Sequence, residues 1–275
     1  MSDDVSNGDE PLLYAVRDDG IATITINRPH KSNALTLEAV DKLGDLLAEA
    51  EADKSVRCVM LTGAGRAFCA GGDTEAIAAR DNSRADDQDE IGRVEQQIEI
   101  AKRRHRHVAL RLFEMDTPIL AVINGAAAGV GLTLAAACDI RLAAAGAKMT
   151  TAYARVGRSG DYGTTFFLGR LVGPSRAREL MFTADVVNAE QALGIGLVDH
   201  VYPAAELLEK SYALAGKIAS GPPRAIARMK RMFRVAEEGC LARFLDAEAE
   251  SHIIQGCSLE GQEFLARFQA SRSQK

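Results

Sequence analysis

The 275-residue sequence predicts an α/β fold with an added helical region at its C-terminus, and three observations predict it. Short apolar runs of strand character alternate with segments of helical spacing as far as Tyr202. Two of the strand-to-helix connections are rich in glycine and alanine. After Pro203 only helical patterning remains, so we divide the chain into a tail at 1–10, an α/β core at 11–203 and a helical region at 204–275.

Leu12–Arg17 and Gly20–Asn27 alternate around Asp18-Asp19-Gly20 as a hairpin does. Thr36 is placed to cap a helix running to Ala52, with Leu37, Val40, Leu43 and Leu47 on one stripe. Val56–Thr62 reads as a strand, Gly63–Asp73 as a loop, and the polar run from Arg80 to Glu90 as a surface loop. Gly92–Glu114 reads as one long helix whose apolar stripe is Val94, Ile98, Ala101, His105, Val108 and Leu112. On that reading His107 is exposed, and Arg103, Arg104, Arg106 and Arg111 form a solvated basic face. Ile119–Asn124 is a buried strand, Gly125–Gly131 a loop, and Leu132–Ala137 a helix. Asp139–Ala143 and Lys148–Thr151 are short strands, Tyr162–Leu171 and Pro174–Phe182 are helices, and Val198–Tyr202 is the last strand. Four helices then follow: Ala205–Ser220, Pro223–Glu238, Leu241–Gln255 and Leu259–Phe268. The apolar stripes of the last two bury either against a neighbouring chain or against the chain's own core. No exact internal repeat is present.

Composition narrows the function classes. With 47% hydrophobic residues the chain can bury a substantial core. A net charge of −5, no Trp and 5% aromatics argue against a nucleic-acid surface. No apolar stretch is long enough to span a membrane, and the acidic N-terminus is unlike a signal peptide. The five cysteines match no zinc spacing; Cys58, Cys69 and Cys138 read as core thiols, and reduced thiols place the protein in the cytoplasm.

Candidate chemistry centres on the two small-residue loops, Arg66-Ala67-Phe68-Cys69-Ala70-Gly71-Gly72-Asp73 and Asn124-Gly125-Ala126-Ala127-Ala128-Gly129-Val130-Gly131. Each follows a strand and leads into a helix, where free N–H groups and a positive dipole end gather. Either loop alone is compatible with an ordinary tight turn. Converging, two such donors make an oxyanion hole. Neither loop is a phosphate loop.

The runs AFCAGGD and ILAVINGAAAGVGLTLAAACDIRLA, with INRPHKSNAL before them and TAYARVGRSGDYGTT and ARELMFTADVVNAEQALGIGLVDHVYP after, resemble the enoyl-CoA hydratase/isomerase (crotonase) superfamily in sequence and in order. The resemblance covers about residues 12 to 270. It implies a spiral of strand–strand–helix units and a C-terminal region that forms a homotrimer or a dimer of trimers. It also implies an acyl-CoA thioester as substrate, with coenzyme A part of that substrate and no separate cofactor or metal. The N–H groups of Gly72 and Val130 would form the oxyanion hole, Val130 standing where glycine is common. Coenzyme A would lie along Lys31, Ser32, Asn33 and Ala34 and the loop from Ala70 to Asp73. Arg66 is either a contact to its phosphates or a surface arginine.

Hydratases of this family use two glutamates, and at those positions this chain has Thr133 and Tyr153. Water addition needs a base and an acid, which these two residues supply poorly. Asp161 matches a functional aspartate of isomerase branches and of the aroyl-CoA dehalogenase branch; it could also be a plain helix N-cap. A single carboxylate in a desolvated pocket, where its pKa would rise, suits moving a proton between two carbons. We therefore expect double-bond isomerisation of an enoyl-CoA with Asp161 as catalytic base. Hydration by another route, dehalogenase-like hydrolysis and a non-catalytic acyl-CoA-binding role are the alternatives. His105 is either a core histidine or a second acid/base group in the acyl pocket.

Overall fold

A computed structural model describes residues 10–73, 75 and 90–272. The predicted tail, but for Glu10, and the polar stretch from Arg80 to Asp89 lie outside the described residues.

The backbone winds so that each turn gives one strand to each of two sheets. β1 (Leu12–Val16) and β2 (Ile21–Ile26) form the predicted antiparallel hairpin. β2 then runs parallel to β3 (Cys58–Gly63), followed by β5 (Ile119–Ile123), β7 (Ile140–Ala144) and β10 (His200–Tyr202). The second sheet joins β4 (Ala67–Cys69), β6 (Ala126–Ala128), β8 (Lys148–Thr150) and β9 (Val187–Asn188). β4 and β6 fall within the two segments that the sequence reads as loops. Each is only three residues long, too short for alternation to register as a strand.

Both faces of the larger sheet are covered, as parallel pairing demands. Ala22, Ile24, Val59, Leu61, Ala121 and Ile123 pack in one cluster with α1 (Leu37–Ala52). Residues alternating with them, Ile21, Cys58, Met60, Leu120, Val122 and Leu142, meet Leu207, Ala215 and Ala219 of the helix Ala204–Ala219. That helix follows Pro203 in sequence but belongs to the core in packing. α1 begins as predicted, with Thr36 accepting a hydrogen bond from the Ala39 N–H at 3.2 Å.

The long helix departs from expectation. α2 (Glu90–His105) passes into a π turn at Arg106–Leu110 and then a short α3 (Arg111–Glu114). A π turn holds an extra residue, which shifts every later side chain around the axis. Val108 and Leu112 are buried as expected, but Val94, Ile98 and Ala101 are exposed. His107 and two of the arginines are not solvated. Arg104 forks onto Asp41 at 2.8 and 2.7 Å, His107 reaches Asp45 at 3.0 Å, and Arg111 reaches Glu51 at 3.1 Å. Three side-chain contacts thus clamp this rod to α1. His107 fits there because Gly44 of α1 has no side chain.

Beyond the core helices, α4 (Val130–Ala137) and α5 (Thr164–Val172) frame the site, and α6 (Pro174–Thr183) and α7 (Ala189–Gly194) follow. α7 is absent from the sequence reading, although Asn188 and Gln191 close a capping box at its start. α8 is the helix Ala204–Ala219, followed by α9 (Pro223–Glu237), α10 (Leu241–Gly256) and α11 (Leu259–Arg272). Leu241, Leu245, Ile253 and Phe268 are exposed on the last two. Among the described residues no helix is long and apolar enough to cross a membrane.

Two expectations follow. A methyl group at Gly125 would stand 1.9 Å from the Arg66 carbonyl oxygen, whereas one at Gly44 would meet the movable ring of His107 at 2.1 Å. Gly125→Ala should therefore cost about 3 kcal/mol in a urea unfolding curve, and Gly44→Ala about 1 kcal/mol, because a ring can yield and alanine favours the helix. A Gly125→Ala chain as stable as the parent would contradict this contact.

Burial pushes the thiols of Cys58, Cys69 and Cys138 up to about 12 from an ordinary 9.0. The unfolded chain ionises them first, so the stability they confer is complete below pH 9 and declines as pH rises toward 12. The urea midpoint followed across that range should fall; a flat profile would show that these thiols are not buried as described.

Candidate active site

The site is built where the two small-residue loops meet. Asn33 is fully buried and fixes the first of them. Its Oδ1 accepts from the Arg28 N–H at 2.9 Å, and its Nδ2 donates to the carbonyls of Ala64 at 2.9 Å and Ala67 at 2.7 Å. The Ala70 N–H donates to Ser32 O at 3.0 Å, Leu35 N–H to Gly71 O at 2.8 Å, and Asp73 N–H to Leu35 O at 2.9 Å. Gly72 is therefore held on both sides in a parallel bridge with Leu35, a geometry that turns its own N–H away from Leu35. Asp73, expected along coenzyme A, is buried and ion-paired with Arg28 at 2.9 Å. Its side chain anchors the loop.

Val130 is the first residue of α4, so its N–H has no partner within the helix. Gly129 before it adopts φ 52° and donates its own N–H to Thr150 O at 3.1 Å. The loops approach so closely that a Cβ on Gly71 would lie 3.7 Å from the Val130 nitrogen. Among the described residues neither the Gly72 nor the Val130 N–H has a hydrogen-bond acceptor. Both predicted donors are thus uncommitted, one of them at a helix N-terminus that favours negative charge.

Thr133 and Tyr153 are brought together, and a third hydroxyl joins them. The Thr133 and Thr164 oxygens are 2.6 Å apart, and the Tyr153 hydroxyl lies 3.2 Å from the first and 3.1 Å from the second. All three residues are buried. Thr133 also reaches Gly129 O at 3.1 Å, and Thr164 reaches Asp161 O at 2.7 Å. Burial raises the Tyr153 pKa, with the two threonine contacts opposing, so the phenol stays protonated. The ring links the backbone beside Asp161 to the backbone beside Val130. Thr164 is absent from the sequence reading; its place three residues after Asp161, opening α5, is the signal that marks it.

Asp161 does not cap α5: the N-cap is Gly163, with no side-chain bond. Its Oδ1 instead accepts from the Tyr162 N–H at 3.0 Å and lies 2.5 Å from His105 Nε2. With Asp161 as a carboxylate, Nε2 must carry the proton. The imidazole packs on Tyr162, centroids 4.6 Å apart. His105 is not a core histidine, since the two side chains are 39% and 42% exposed. The carboxylate stands in a partly open site rather than in the desolvated pocket expected from the sequence. Tyr162 sits at φ 50°, an uncommon conformation for a side chain of its size, and its placement turns both Asp161 and the phenol ring toward α2.

The remaining predicted contacts lie at the edge. Lys31 pairs with Glu75 at 2.6 Å, Ser32 and Ala34 lie on the turn that Asn33 holds, and Ala70 and Arg66 are exposed. Among the described residues no cluster of His, Cys, Asp and Glu could hold a metal.

Thr164→Val would leave the Tyr153 and Thr133 hydroxyls and the Asp161 carbonyl short of partners. A loss of about 1–3 kcal/mol is expected, largely recovered in Thr164→Ser, which keeps the hydroxyl. Equal unfolding midpoints for the two variants would refute the ring.

A family model described as enoyl-CoA hydratase/isomerase matches residues 17–273. The 1,2-epoxyphenylacetyl-CoA isomerase of Escherichia coli is 33% identical, over 92% of this chain and 94% of its own. The crotonyl-CoA hydratase of Syntrophomonas wolfei is 34% identical, over 86% of each. A crystal structure of an enoyl-CoA hydratase from Mycobacterium smegmatis superposes with a TM-score of 0.84 at 28% identity, covering 95% of this chain and 97% of that one.

Proposed function

The chain belongs to the enoyl-CoA hydratase/isomerase family, and from that premise we propose that it shifts a carbon–carbon double bond in an enoyl-CoA, with Asp161 as the only base. The thioester oxygen would take the N–H groups of Gly72 and Val130, which stabilises the enolate and acidifies the carbon beside the carbonyl. For a 3-enoyl-CoA, Asp161 would remove a proton from C2 and return it to C4 as the double bond moves to C2–C3. Coenzyme A enters and leaves with the substrate, so the reaction needs no other cofactor.

The single observation that carries this reading is the ring of Thr133, Tyr153 and Thr164, whose hydroxyls bond to one another where a hydratase of the family would hold water between two carboxylates. Removing both the acid and the base of hydration leaves proton transfer by one carboxylate. The exposed apolar side chains of α10 and α11 support assembly as a homotrimer or dimer of trimers.

The contact between His105 and Asp161 favours one second reading, dehalogenase-like hydrolysis. There Asp161 would displace halide from an aroyl ring and His105 would activate the water that releases the product.

Mass spectrometry of 2-enoyl-CoA, 3-enoyl-CoA and halogenated aroyl-CoA esters incubated with the protein in D₂O separates these outcomes. A moved double bond without added water is expected. Asp161→Asn should slow that reaction by about 10²- to 10⁴-fold while acyl-CoA still binds. A product heavier by one water would point to hydration, and released halide to the second reading. A folded Asp161→Asn protein of full activity would remove Asp161 from the mechanism.

A further inference from the structure

A cluster of basic side chains flanks the end of α2, where His105 lies. A concave space of about 460 Å³ is lined by Arg103, Arg104, Arg106, His107 and Arg111, with Asp41 the one acidic side chain on its wall. The π turn at Arg106–Leu110 gathers these residues by shifting the register partway along the rod. Arg104, His107 and Arg111 are pinned to Asp41, Asp45 and Glu51 of α1, which fixes the walls. Arg103 and Arg106 have no carboxylate partner among the described residues, and both are exposed. Arg111 spends Nη1 on Glu51, and its Nε–H has no acceptor. In a chain of net charge −5, this is a local excess of donors with the opposite sign.

We propose that this cavity is an anion site for a ligand of the pyrophosphate class. Guanidinium forks match the paired oxygens of a phosphoryl group, and a buttressed arginine loses less entropy on binding than a free one. Arg103 and Arg106 stand about one helical turn apart, which suits a ligand with two adjacent anionic groups better than a single small ion. Such a diphosphate has two sources: free pyrophosphate or a nucleoside diphosphate, and the diphosphate within a coenzyme A ester. The binding site does not depend on which reaction the protein catalyses.

Calorimetric titration of the full chain with inorganic pyrophosphate, ADP and coenzyme A tests the site. Saturable binding of pyrophosphate is expected, weakened by raised salt and by at least about tenfold in the double variant Arg103→Gln, Arg106→Gln. The melting temperature of that variant, both substitutions being exposed, checks that it folds. Coenzyme A binding that competes with pyrophosphate and falls in the double variant would assign the site to the substrate's own diphosphate; independent binding would assign it to a separate ligand. Absence of saturable pyrophosphate binding, or a folded double variant that binds as tightly as the parent, would overturn the proposal.

Discussion

A Cβ at Gly63 would stand 2.2 Å from the Ala67 carbonyl oxygen, one at Gly125 1.9 Å from that of Arg66, and one at Gly131 2.2 Å from that of Cys69. Successive turns of the backbone are therefore in direct main-chain contact, with no side chain between them. This closeness determines the rest of the site. It allows the three-residue strands β4 and β6 to pair, with alanines and a cysteine at the paired positions and Phe68 buried between them. It brings the loop of Gly71 and Gly72 against the start of α4, where among the described residues neither the Gly72 nor the Val130 N–H has an acceptor. The proposed oxyanion hole would tolerate Val130 in place of glycine, because its donor would belong to the backbone whatever the side chain.

The buried hydroxyl ring is the second consequence of that packing. Two carboxylates so close together, and so far from solvent, would repel one another and raise the pKa of at least one. Thr133, Tyr153 and Thr164 remove that electrostatic cost and satisfy one another instead. Because the ring also reaches Gly129 O and Asp161 O, it fixes the loop that carries Asp161 relative to the loop that ends at Val130. In place of a pair of groups able to hold and split water stands a hydrogen-bonded tie between the two loops.

The sequence made the larger sheet legible because its strands are apolar and its helices carry 3.6-residue stripes. α1 with its Thr36 cap is read to within a residue. The roles proposed for Gly72, Val130 and Asp161 rest on family resemblance; glycine and alanine by themselves state that backbones approach, not which ones. Three features were not legible for physical reasons. β4 and β6 are too short for periodicity. The π turn leaves no local mark, so the stripe through Val94 and Ile98 was carried too far and His107 was placed outward. The ion pairs of Arg104 and Arg111 join residues some sixty positions apart, which one chain cannot announce.

The two oxygens of Asp161 are not equivalent, and this bears on the chemistry. Oδ1 is occupied by the Tyr162 N–H and by His105 Nε2, and among the described residues no donor reaches Oδ2. In a one-base proton transfer the reacting oxygen must accept a proton and release it within one visit of the substrate. A carboxylate bound through Oδ1 can do so at Oδ2 without turning, because its two hydrogen bonds persist in both protonation states. A base held in this way works from one side of the acyl chain, taking and returning the proton on the same face. His105, braced by the Tyr162 ring, supplies that hold, and the hydroxyl ring ties the backbone of Asp161 through Thr164.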